Sequence, residues 1–150
     1  MDAHFVLSWA QVSAHVGFLS SKLSAEPKFE LVAAVGRGGM VPAVMVANKL
    51  QVPAVGLLPI ARFHRRDGMA MFTLVPNQPL GSEYDKPTVL LVDAIVNSGA
   101  TMQVARGFMP NAKTAALYVR PGAENSVHFF ADCFRREGRV VFPWEPWPVS

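Results

Sequence analysis

PTVLLVDAIVNSGATM, residues 87–102, is the stretch that decides how this chain is read. Thr88 to Val92 is an unbroken apolar, β-branched run, short enough for a strand and too apolar to meet water on either face. Such runs belong in the middle of a parallel sheet covered by helices. The strand is expected to end on Asp93, with a loop carrying Asn97, Ser98 and Gly99 into a helix over 100–108. A small, hydroxyl-rich turn between a strand and a helix start is an anion cradle. Unpaired backbone N–H groups and the positive end of the helix dipole converge there, and Ser98 and Thr101 add hydroxyl donors. Asp93 at the strand end suits sugar hydroxyls beside that anion. A carboxylate and an anion nest a few residues apart fit a ribose 5-phosphate.

The remaining composition is compatible with such a site. A chain of 150 residues makes one domain, 1–150, with room for a real core. Hydrophobic residues make up 51% and charged residues only 17%, which excludes a disordered chain. No apolar run approaches bilayer length, and the first residues lack a signal peptide's basic start. The single Cys133 excludes an internal disulfide and a cysteine-based zinc site, so a cytoplasmic location is expected. A net charge of +3 is too mild to argue for nucleic acid but agrees with an anionic substrate.

Alternating strands and helices define the fold class: α/β, a single-domain parallel sheet flanked by helices. Residues 8–23 read as a helix, with Ser8 as N-cap, Gln11 completing a capping box, and Trp9, Val12, Val16, Leu19 and Leu23 as its core stripe. His15 lies off that stripe and reads as solvated. A strand over 30–35 runs into Gly36, Arg37, Gly38 and Gly39, then a helix through Leu50 with Pro42 in its first turn. This is a second strand–turn–helix unit with an anion-friendly loop, now carrying a cation. Strands are expected over 52–58 and 113–119, the latter ending at Arg120. Between 59 and 86 the pattern weakens to the basic cluster Arg62, Arg65 and Arg66 and a strand over 70–75. Ligands in such sheets bind beyond the carboxyl ends of the strands, where the Arg37 loop, Asp93, the 97–101 loop and Arg120 all fall.

Several segments together resemble the type I phosphoribosyltransferases. VDAIVNSGAT, residues 92–101, is similar to their phosphoribosyl pyrophosphate motif, an apolar strand, two acids and a Thr-Gly-x-Thr loop. Asp93 stands at the first acid, Ala94 at the second, Asn97 at a third acid of the purine enzymes, and Ser98 at the first threonine. VGRGGMVPA, residues 35–43, resembles the pyrophosphate loop of the xanthine-guanine-type and archaeal purine members, with Gly36 at a usual serine. Leu7-Ser8-Trp9 and the tail Val141-Phe142-Pro143-Trp144-Glu145 are similar to the same enzymes.

The resemblance implies a Rossmann-like phosphoribosyltransferase fold with a flexible hood over roughly 60–86 plus the C-terminal segment. It implies transfer of ribose 5-phosphate from phosphoribosyl pyrophosphate to a 6-oxopurine, giving a nucleoside monophosphate and pyrophosphate. Under it, Arg37, Gly38 and Gly39 hold pyrophosphate, while Asp93 and the Ala94 position face the ribose hydroxyls. Ser98, Gly99, Ala100 and Thr101 hold the 5′-phosphate, and Asn97 lies near the base's N7. Asp93 and Asn97 are thus the catalytic candidates. Arg120 meets the 6-oxo group, and Arg139 and Val140 wall the base, where Arg139 replaces an aromatic residue. Mg2+ is the implied cofactor, approached by Asp93 indirectly through water or ribose hydroxyls. A homo-oligomer, dimer or tetramer, is implied as well. Three other readings share these residues: a nucleotide-binding or regulatory homologue without turnover, a transferase for another base such as uracil, and an RNA contact through the basic loop.

Overall fold

The computed structural model describes residues 3–64, 70–74 and 80–146, with the side chains of 61–79 outside the description. In chain order the elements are β1 (His4–Val6), α1 (Trp9–Leu23), β2 (Leu31–Val35), α2 (Met40–Leu50), β3 (Val55–Leu58), β4 (Ile60–His64) and β5 (Ala70–Leu74). There follow β6 (Val89–Val96), α3 (Ala100–Phe108), β7 (Lys113–Val119), β8 (Phe129–Cys133) and β9 (Arg139–Val141). Five of the strands form a parallel sheet in the order β3-β2-β6-β7-β8. Its central strands are apolar throughout because both faces are covered: every residue of β2 is buried, and so are the first four of β6.

Strand alternation divides the core in two. Val32, Ala34, Leu90, Val92 and Leu117 face Val12, Val16, Leu19 and Leu23 of α1 and Val46 of α2. Leu31, Ala33, Leu91 and Val119 face Met102 and Ala105 of α3 and the start of β4 at Ile60. The capping box on α1 forms as the sequence requires: Gln11 N–H donates to Ser8 Oγ at 3.1 Å, and Ser8 N–H donates to Gln11 Oε1 at 2.8 Å.

Several expectations need correction. β6 does not stop at Asp93 but continues to Val96, with Asp93 paired to Ala116 and Ile95 to Tyr118. Trp9 leaves the core stripe, 53% exposed, and its ring lies 5.9 Å from that of Trp144 at the far end of the chain. His15 is half-buried rather than solvated: its Nδ1 lies 2.6 Å from Tyr118 Oη, and its Nε2 lies 4.0 Å from Asp132. β2 begins at Leu31 and β3 at Val55, later than expected. The residues before β3 close α2 instead, through the left-handed Gln51 and the Val52 N–H bonded to Ala47 O.

Two small sheets flank the main one. β4 and β5 form an antiparallel hairpin where the hood was expected, with Ile60 opposite Leu74. β1 and β9 pair in parallel, joining residues 4–6 to 139–141. Phe142 lies in the core and stacks on Trp144 at 4.7 Å, as packing residues do. Residues 65–69 and 75–79, and the side chains of Arg62, Arg65 and Arg66, fall outside the described part, so the basic-loop reading does too. No helix among the described residues is long and apolar enough to cross a membrane.

Candidate active site

The strand order turns between β2 and β6. From β2 the chain goes outward to β3, and from β6 it goes the other way through β7 to β8. The loops leaving neighbouring strands in opposite directions open a crevice at their carboxyl ends. Both loops lead into helices whose first turns hold no acidic residue, so neither positive dipole end is neutralised from within its own helix.

The loop after β6 is built around Gly99, whose φ of +90° is a conformation that side chains avoid. A Cβ there would also stand 2.3 Å from Ser126 Oγ, so the loop packs tightly on its neighbour. The Ala100 N–H donates to Ser98 Oγ at 3.3 Å, which leaves the Ser98 hydroxyl hydrogen free to donate outward. Asp93, Asn97, Ser98, Gly99, Ala100 and Thr101 line one small pocket. The residues expected to hold a sugar phosphate are thus brought together.

The loop after β2 approaches from the side. Gly36 is left-handed at φ +61°, which explains why a glycine suits this position. Arg37 and Gly38 are exposed, and Gly39 is wedged between strands: a Cβ on it would lie 2.2 Å from Val92 O and 2.9 Å from Val35 N. A Cβ on Gly38 would be 3.7 Å from Asp93 Oδ1. The two loops therefore meet at the Asp93 carboxylate.

Asp93 occupies a recess rather than a sealed interior. Desolvation there pushes its pKa up to about 7, against the opposing pull of the Ala94 N–H, which donates to Oδ1 at 2.7 Å. The carboxyl opens on the phosphate pocket, so a sugar hydroxyl or a hydrated cation can reach it. Ala94 points the other way. Its methyl is 4% exposed and belongs to the cluster under α1 and α2, leaving its backbone N–H as its contribution to the site. Ala94→Asp therefore sets a buried, unpaired carboxylate against any gain from a second acid. We expect it to cost about 2–3 kcal/mol, read as a lower denaturation midpoint.

Arg120, just past β7, is held from four directions. Its Nε donates to Asn97 Oδ1 at 3.4 Å, and its two terminal nitrogens donate to the carbonyls of Arg136 and Gly138. Its Cζ lies 5.0 Å from the centre of the Phe134 ring. A guanidinium has five N–H donors, so one stays free on each terminal nitrogen. Arg139 is exposed, whereas the Val140 side chain is buried in the core, so only its backbone can border a ligand. Ser126 and the two carbonyls gripping Arg120 leave no signal in the sequence, whereas Phe134, an aromatic beside the basic pair Arg135-Arg136, does carry one for a cation partner.

Among the described residues no group of three His, Cys, Asp or Glu side chains is placed to hold a metal by itself. Magnesium needs no such cage where phosphates supply most of its ligands. Asp93, the carboxylate in the pocket lining, fits an indirect role through water or sugar hydroxyls.

Two acid-free helix starts, a half-buried carboxylate between them and a tethered arginine at the next strand end define an α/β protein whose crevice has the chemistry to take an anion. Residues 6–146 match the phosphoribosyl transferase domain family. The chain is 29% identical to the xanthine-guanine phosphoribosyltransferase of Roseobacter denitrificans, over 94% of its own length and 85% of the relative's. The purine phosphoribosyltransferase of Pyrococcus horikoshii superposes on it with a TM-score of 0.76 at 27% identity, covering 98% of this chain and 97% of that one. The Helicobacter pylori xanthine-guanine-hypoxanthine enzyme, 20% identical, shares the fold with a TM-score of 0.73 over 95% and 94% of the two chains. This chain belongs to the phosphoribosyl transferase family, and it is a phosphoribosyltransferase whose relatives are of the xanthine-guanine and purine type.

Proposed function

We propose that the enzyme transfers ribose 5-phosphate from phosphoribosyl pyrophosphate to a 6-oxopurine, in purine salvage. One observation carries this reading: the Gly36–Gly39 loop, the Asp93 pocket and Arg120 lie on three successive strands, β2, β6 and β7. On this reading the 97–101 loop grips the 5′-phosphate through backbone N–H groups and the Ser98 and Thr101 hydroxyls. Asp93 accepts from the ribose hydroxyls, which sets C1′ above the sheet. Arg37 and the N–H groups of Gly38 and Gly39 stabilise negative charge on the departing pyrophosphate as the ribose becomes oxocarbenium-like. Magnesium, carried by the pyrophosphate, supplies further charge neutralisation. The free N–H groups of Arg120 suit a carbonyl oxygen and leave no acceptor for adenine's amino group. The β4–β5 hairpin is placed in the chain where a hood would exclude water.

Homo-oligomerisation is part of the proposal. Edge strand β3 and helix α2 together expose Met40, Val44, Val55 and Leu57, each 37–48% accessible, an apolar surface that a second copy would cover.

The test is pyrophosphate release from phosphoribosyl pyrophosphate with guanine, hypoxanthine, xanthine, adenine and uracil. We expect release with the 6-oxopurines to exceed that with adenine or uracil by tenfold or more, a difference of about 1.4 kcal/mol. A preference for uracil or adenine sinks the role given to Arg120. Nucleotide binding with no release for any base supports a homologue without turnover.

A further inference from the structure

The loop after β6 has two sides. One lines the small pocket, about 40 Å³, that the proposed function gives to the 5′-phosphate. The other faces a groove of about 450 Å³ between α3 and the turn Glu124–Ser126, lined by Ser98, Gly99, Gln103, Arg106, Asn125 and Ser126. Ser98 and Gly99 belong to both.

The groove follows from the local course of the chain. Gln103 and Arg106 stand one turn apart on α3, so they share a polar face while their neighbours Met102 and Ala105 hold the core. Across from them Ser126 packs on the loop, where a Cβ on Gly99 would meet its Oγ at 2.3 Å. Among the described residues, no carboxylate stands within 4.0 Å of the Arg106 guanidinium. The acid of the facing turn is engaged elsewhere: Glu124 Oε2 accepts from the Gly122 N–H at 2.7 Å, and its Oε1 lies 3.9 Å from Cys133 Sγ. The lining thus offers a guanidinium, two amides and two hydroxyls, and no carboxylate. Positive charge extends beyond it. Burial first, then the Lys113 and Arg106 cations, hold the His128 pKa below its ordinary value against the pull of Glu26. An arginine among neutral donors suits a phosphate, which a guanidinium meets with two parallel hydrogen bonds. The volume leaves room for an organic group esterified to it.

We propose that this groove is a second anion site, for a phosphate monoester or free phosphate, whose occupant weakens the binding of phosphoribosyl pyrophosphate through the shared loop. Ser98 carries one hydroxyl hydrogen, and its Oγ already accepts from the Ala100 N–H. That hydrogen is donated into the pocket or into the groove, never both. Two phosphates on either side of one loop also repel each other. The coupling is therefore negative, and it is reciprocal. The site itself stands on the groove alone, whereas its coupling rests on the proposed function.

The test titrates inorganic phosphate, and in a parallel arm glycerol phosphate, into the wild type and Arg106→Gln at constant ionic strength, with amide signals followed by NMR. Arg106 is exposed and glutamine is a good helix former, so the variant folds. In the wild type the side-chain amides of Gln103 and Asn125 and the backbone N–H of Ser126 should shift to saturation. Arg106→Gln should need about tenfold more phosphate for the same shifts, while the Ala100 and Thr101 signals respond alike in both proteins. Tighter binding of the ester identifies a phosphorylated metabolite as the occupant, and equal binding identifies phosphate itself. Shifts confined to residues 97–101, or groove shifts equal in the two proteins, overturn the site. For the coupling, phosphate competing in the 5′-phosphate pocket raises the KM for phosphoribosyl pyrophosphate without limit in both proteins. The groove adds a bounded rise of about fivefold, which Arg106→Gln abolishes. Equal KM responses in the two proteins overturn the coupling. Absence of turnover with every base removes the proposed function, and the groove shifts still decide the site.

Discussion

Asp93→Asn is expected to lower kcat/KM about a hundredfold while making the folded protein more stable at neutral pH. On the proposed function, the loss follows from replacing charge-assisted hydrogen bonds to two sugar hydroxyls by neutral ones, roughly 1.5 kcal/mol each. The gain follows from the recess. Burial raises the carboxyl's pKa from 3.8 to about 7, so the native state holds a proton that the unfolded chain releases. The favourable contribution of that proton is complete below pH 3.8 and is lost as pH climbs through about 7, above which the native state carries an ionised, poorly hydrated carboxylate. Removing the charge relieves that penalty. The shift alone would give about 4 kcal/mol, and discounting for the opening to the pocket leaves about 2 kcal/mol. Thermal denaturation at pH 8 should therefore show Asp93→Asn about 6 °C above the wild type, with the gap closing towards pH 4. A variant no more stable than wild type at pH 8 would mean that Asp93 is not strained in the free protein. The same titration predicts that wild-type activity rises through pH 7 for a base whose own ionisation does not intervene.

The outline of this fold is legible in the chain because its central strands announce themselves. Residues 89–92 and 31–35 have no polar side chain to turn outward, and that implies two covering layers. Both anion loops are equally visible, since glycine next to helix starts carries a conformational meaning that residue type alone conveys. What the sequence hides is long-range. β1 and β9 are three residues each, too short to show a period, and they find one another from opposite ends of the chain. His15 gains its partner from Tyr118, 103 residues on, and Trp9, off its stripe, lies beside Trp144. Asp93 reads as a strand end because it interrupts an apolar run, yet Ile95 and Val96 continue the pairing with β7 beyond it. The acceptors around Arg120 are backbone carbonyls, which leave no mark in a sequence.

Gly39→Ala should unfold or severely weaken the protein, whereas Gly38→Ala, one residue away, should fold normally and bind its substrate poorly. The contrast follows from what each new methyl meets. At Gly39 the methyl carbon would lie 2.2 Å from Val92 O, 2.9 Å from Val35 N and 3.0 Å from Val35 O. All three are backbone atoms of paired central strands, and none can swing aside as a side chain does. Relief requires α2 to lift off β2 and β6, and with it the contacts of Ala43 and Val46 with the core. Such overpacking against backbone belongs at the upper end of single-substitution costs, about 4 kcal/mol. At Gly38 the nearest atom is Asp93 Oδ1 at 3.7 Å, an ordinary contact, and φ is not left-handed. Stability should then change by less than about 1 kcal/mol. The methyl nevertheless covers part of the Asp93 carboxylate, on the side from which pyrophosphate would approach. Denaturant midpoints and the KM for phosphoribosyl pyrophosphate, measured on both variants, separate the two effects. Equal stability loss in both would mean that the two glycines serve only the packing of α2, and that the β2 loop does not reach the substrate.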